Sequence, residues 1–224
     1  MSILIDNYNK LYPAFAAKLI NSKCVIAEQE AEDAQHTFRT LTIKGISGWM
    51  FPHDLPKQAT SFYDKSQNGM SDNQKELPYY NILRKDCDGI FCIEENNKIV
   101  IYVCELKSSY TIDAVNKAKD QIVGSFLKLL GKLSMLQNFD KDNIEMRGII
   151  VAYEATTERL ADAKKLTDPK ARFFLRLNEL HQYIMPQEKC EQYWHPLKCP
   201  EITIKYLEVP LKLKCHEIDF CQIK

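Results

Sequence analysis

Excess charge of either sign is missing from this chain. Its 224 residues carry 30 Lys and Arg against 30 Asp and Glu, and the pI is near 6.9. Overall charge therefore offers no attraction for nucleic acid or an acidic membrane, and such a partner would need a local basic face. Glycine is scarce, seven in all, and no glycine-rich phosphate loop occurs. No apolar run approaches the roughly 20 residues of a membrane span. The opening MSILIDNYNKLYPAF lacks a basic segment followed by an apolar core, so no secretory leader is expected. The eight cysteines include no CxxC knuckle, and they read as reduced thiols of a cytoplasmic protein. Cys190, His195, Cys199, Cys215, His216 and Cys221 gather toward the C-terminal end. The missing knuckle favours separate thiols there over a zinc-stabilised interaction module. His53-Asp54 has no nucleophile in a recognisable context beside it, so it reads as a loop pair.

Apolar residues make up 45% of the chain, enough to bury a core without staples. One domain over residues 1–224 is expected. The spacing predicts helices over 8–21 and 24–40, the second rich in Glu, Ala and Gln. Residues 41–80 read as loop, with a short strand at Thr40–Ile43 and with Trp49, Met50 and Phe51 docked on the core. Two apolar runs at about 88–94 and 98–105 flank the polar turn EENNK and predict a hairpin. A long amphipathic helix follows at 112–136, capped by Thr111 or Asp113. RGIIVAYE at 147–154 reads as a buried strand. Helices are expected at 156–166 and 170–184, then alternating strands at 201–209 and 211–220. This is an α/β fold with a mixed central sheet flanked by helices.

The hairpin ends in residues that strands seldom choose: Asp88 at the head of one run, Glu105 and Lys107 at the tail of the other. Antiparallel pairing brings those ends side by side. Glu105 and Lys107, two apart, point to one face, while Leu106 points into the core. Two neighbouring carboxylates repel unless a cation joins them. A hard divalent ion such as Mg2+ fits two carboxylates, with the Leu106 carbonyl as a further oxygen ligand. Lys107 would then lie beside a metal-bound water. Such an ion makes hydroxide accessible near neutral pH and stabilises charge on a phosphoryl oxygen. Those are the parts for hydrolysing a phosphodiester.

Asp88, sixteen residues, then Glu105-Leu106-Lys107, followed by a long helix, resembles the PD-(D/E)XK nuclease motif. The hairpin and helix are similar to that superfamily's restriction-endonuclease-like core, over about 24–154, with 155–224 extending it. The proline that often precedes the Asp is Cys87 here. The resemblance implies that Asp88 and Glu105 bind Mg2+, for which Mn2+ can substitute, and that Lys107 serves the attacking water. It implies support from Gln121 on the following helix, near Lys117 and Lys119. It also implies an acidic residue from an earlier helix, for which Glu32 or Glu28 is the candidate. Double-stranded DNA is the implied substrate, in restriction, anti-phage defence or repair, with a homodimer or a recruiting partner subunit. The competing reading is a catalytically inactive nucleic-acid-binding or scaffolding subunit. Tyr183, Tyr193 and Trp194 near Lys189 and Lys198 read more readily as core or partner contacts than as base-stacking groups.

Overall fold

The computed structural model describes residues 17–28, 38, 40–52, 85–134, 140–185 and 201–224. Ten strands are present among them: β1 (Ala17–Lys18), β2 (Lys23–Ala27), β3 (Thr40–Lys44), β4 (Trp49–Phe51), β5 (Gly89–Glu95), β6 (Lys98–Lys107), β7 (Ile144–Tyr153), β8 (Gln182–Met185), β9 (Ile202–Val209) and β10 (Cys215–Asp219). Three α-helices accompany them: α1 (Ile112–Leu133), α2 (Thr157–Lys164) and α3 (Pro169–Leu180). Seven strands form one mixed sheet in the order β1-β4-β5-β6-β7-β9-β8. The other three form a small sheet, β10-β3-β2. No described helix is long and apolar enough to cross a membrane.

β6 is the central strand, antiparallel to β5 and parallel to β7. Its run IVIYVCEL is buried residue after residue. Continuous burial of that kind needs cover on both faces, and the chain supplies it. On one face Ile101 and Val103 join Ile122, Phe126 and Leu130 of α1 and Phe174 of α3 in one core. On the other, Tyr102, Cys104 and Leu106 join Ile26, Leu41 and Ile43 of the small sheet in a second core. The molecule is thus layered as helices, large sheet, small sheet.

The local signals explain most element ends. The β5–β6 turn is closed by Asn96 and Asn97, both with positive φ (52° and 61°). That is the two-residue hairpin geometry asparagine tolerates best after glycine. α1 starts where the Thr111 hydroxyl accepts the Ala114 N–H at 3.1 Å. α3 starts where Asp168 accepts the Ala171 N–H at 2.9 Å, with Pro169 in its first turn.

Several expectations are corrected. Lys23–Ala27 is a strand, not the start of a helix over 24–40. Cys24 and Ile26 alternate inward with exposed neighbours, a period of two. The end of the expected 8–21 helix is also extended: Ala17–Lys18 pairs with Met50 and Trp49. Trp49–Phe51 is itself a strand, in register with Cys92 to Ile90. A Cβ on Gly48 would stand 2.1 Å from the Cys92 carbonyl oxygen, so only glycine admits this close approach. The helix expected over 170–184 ends at Leu180, where His181 turns left-handed (φ 49°) and β8 begins. Residues 8–16, Glu32, His36, His53, Asp54, Lys189, Cys190, Tyr193, Trp194, His195, Lys198 and Cys199 lie outside the described residues.

Candidate active site

The site sits where the hairpin ends. β5 starts at Gly89, paired with Cys104, so Asp88 arrives just as the ladder closes. Its N–H donates to the Cys104 carbonyl at 3.1 Å. Its side chain then crosses to β6, where Oδ2 accepts the Leu106 N–H at 2.7 Å. A carboxylate takes the place of a strand partner, and it comes to rest beside Glu105. In an extended ladder a residue's N–H and C=O point the same way. The Leu106 carbonyl is therefore turned toward the Asp88 edge, while its side chain is buried against the small sheet.

Glu105 faces the helices and is 1% exposed. Its Oε1 accepts a hydrogen bond from Lys107 Nζ. Its Oε2 is buried and has no hydrogen-bond partner among the described residues. A buried carboxylate oxygen left unpaired is costly, and the chemistry shows the cost. Burial, and after it the charge of Asp88, push the Glu105 carboxyl up from 4.5 to about 8, against the pull of Lys107 and the Asp88 amide.

Lys107 is anchored twice. Besides Glu105 it donates to Gln121 Oε1 at 2.9 Å. Gln121 in turn donates through Nε2 to the Asp86 carbonyl at 2.8 Å. The structure thus brings together four of the residues singled out in the sequence: Asp88, Glu105, Lys107 and Gln121. Glu28 is placed elsewhere: its charge acts on Tyr153, which belongs to the core on the opposite face of the sheet from Glu105. Lys117 is exposed on α1. Lys119 is engaged locally, donating to Asn116 Oδ1 at 3.3 Å and lying 5.2 Å from the Phe173 ring centroid. Tyr183 packs edge-on against Phe173. Cys215 and Cys221 are free and exposed, and no three His, Cys, Asp or Glu side chains converge among the described residues.

Two polar residues beside the site escaped the sequence reading. Ser125 and Lys128 are buried on α1. Lys128 Nζ donates to the Lys85 carbonyl at 2.8 Å and forms an ion pair with Asp86. Ser125 Oγ accepts the Cys87 N–H at 2.9 Å. Their signal was in plain view: positions 121, 125 and 128 lie on one helical stripe. Nothing local distinguishes a buried lysine on that stripe from a solvated one.

The donor set suits a hard divalent cation. It offers two carboxylates at one strand end, one of them with an unpartnered buried oxygen, plus a backbone carbonyl on the same edge. Comparison with models of known families, with characterised proteins and with solved structures returns no match.

Proposed function

We propose that the chain is a metal-dependent nuclease that hydrolyses phosphodiester bonds, with a restriction-endonuclease-like core. The observation that carries this is the Glu105 carboxylate: buried, with an unpartnered oxygen, forced against a second carboxylate, and with a lysine on its outer side. An apolar pair would close the hairpin at lower cost. A site that pushes two carboxylates together instead is organised for a cation.

In this reading Asp88 and Glu105 hold Mg2+, with the Leu106 carbonyl assisting, and Mn2+ can take its place. When bound, the metal lowers the pKa of a coordinated water and stabilises charge on a phosphoryl oxygen. Lys107 uses two of its three N–H donors on Glu105 and Gln121. The third is available to orient the attacking water or a phosphate oxygen. Gln121 fixes the rotamer of Lys107 by taking the Asp86 carbonyl with its other end. Double-stranded DNA is the substrate we assign, in a restriction, defence or repair setting.

The test is incubation of the purified protein with supercoiled plasmid in Mg2+ or Mn2+. Nicking or linearisation is expected. Lys107→Ala is expected to slow it about a hundredfold, the usual worth of a positioned proton-handling group. Gln121→Ala is expected to slow it about tenfold and to cost roughly 1 kcal/mol of stability, one hydrogen-bonded amide's share. A wild-type protein that neither cleaves nor changes its melting temperature with Mg2+ or Mn2+ would sink the proposal and leave an inactive binding subunit.

A further inference from the structure

Residues 85–87 lead into the site without belonging to any strand. Their backbone groups are taken by side chains of α1 instead, one residue after another. Lys128 Nζ takes the Lys85 carbonyl at 2.8 Å. Gln121 Nε2 takes the Asp86 carbonyl at 2.8 Å. Ser125 Oγ takes the Cys87 N–H at 2.9 Å. Two ion pairs close over the same segment, Lys128 with Asp86 and Lys85 with Asp120, the latter at 2.8 Å. The next residue is Asp88.

The lysine is the member that asks for a reason. Its side chain is 2% exposed, on the stripe it shares with Gln121 and Ser125, in a stretch of α1 whose residues 122–130 are all buried. Burying an ion pair seldom stabilises a fold relative to an apolar pair of the same size. A leucine or methionine would serve the core equally well. What an apolar residue cannot do is hold a backbone carbonyl and a carboxylate of the segment at once. We infer that Lys128 is a positioning residue: together with Ser125 it clamps residues 85–87 onto α1, and so sets where the Asp88 carboxylate stands against Glu105. Only the consequence for metal binding rests on the functional reading above; the clamp itself does not.

The clamp is tested in metal-free protein by amide hydrogen exchange on Lys128→Met, Lys128→Arg and Ser125→Ala. The Cys87 N–H, held by Ser125, and the Leu106 N–H, held by Asp88, are the reporters. In Lys128→Met both are expected to exchange at least tenfold faster, with the Ile149–Val151 amides of β7 unchanged. Lys128→Arg, which keeps the charge and the donors, is expected to recover at least half of that protection on a logarithmic scale. Ser125→Ala leaves the buried charge in place and is expected to release Cys87, with Leu106 following several-fold. Unchanged exchange at both reporters in a folded Lys128→Met protein would overturn the clamp. So would an equal rise throughout β7, which would mean general loosening.

Mn2+ titration on the same proteins reads the consequence. A tenfold weaker affinity in Lys128→Met, recovered in Lys128→Arg, is expected. If wild-type protein binds no Mn2+, the nuclease reading fails while the exchange result still decides the clamp. If wild type binds and Lys128→Met binds equally well, the positioning role fails.

Discussion

Glu105→Gln is expected to make the metal-free protein more stable at pH 8.5 while removing its response to Mg2+. In the folded chain the Glu105 carboxyl holds its proton until about pH 8, whereas its ordinary value is 4.5. Between those two values the folded state binds a proton that the unfolded state has released. Stability therefore falls as pH rises from about 4.5 to 8, and levels off above. A neutral amide has no such slope. At pH 5 the variant and the wild type should differ little. At pH 8.5 the variant should lead by about 3 kcal/mol, after allowing for the lost attraction to Lys107. For a chain of this size that is about 6–12 °C in melting temperature. Thermal melts from pH 5 to 9 in chelator-treated buffer measure it. A variant less stable than wild type at pH 8.5 would show that Glu105 is a well-satisfied ion pair and not a strained ligand. Strain of this kind is a recurrent mark of residues kept for function at the expense of the fold.

Asp88→Asn is expected to fold normally and to lose plasmid cleavage by a thousandfold or more. The amide oxygen can still accept the Leu106 N–H, so the hydrogen bond that seats the side chain at 2.7 Å survives in weaker form. What disappears is the negative charge. Wild-type protein at a hundredfold excess of Mg2+ over its Kd should gain about 2.7 kcal/mol from binding; the variant should gain almost nothing. Removing the Asp88 charge also takes away the second cause that raises Glu105. The fall of stability with pH should flatten accordingly. Cleavage at wild-type rate by Asp88→Asn would exclude this residue from the site.

The candidate site was legible because its residues break a strong pattern. Asp88, Glu105 and Lys107 interrupt runs of alternating, β-branched strand sequence, and a period of two says which side chains share a face. The hairpin was equally plain from its asparagine turn. β2 was not, since KCVIA runs directly into EQEAEDAQ, whose composition favours a helix and outvotes five residues of alternation. β4 is three residues between Gly48 and Pro52. It is a strand because β5 offers it a partner, and a partner forty residues away leaves no local trace. The same holds for Ser125 and Lys128. Helical spacing tells which stripe of α1 is buried; it does not tell that a stretch of unpaired backbone lies against it.

In the small sheet β3 runs parallel to β10, pairing Thr40–Lys44 with Cys215–Asp219. During synthesis the large sheet's last strand in sequence, β9, leaves the ribosome before β10 does. Without β10, the small sheet that carries Ile26, Leu41 and Ile43 would keep only the β2–β3 pair, with one edge of β3 open. Open edges beside apolar surface recruit other chains. β10 is therefore the strand that completes the cover behind Leu106. The back wall of the site therefore closes only after every described strand of the large sheet has been made.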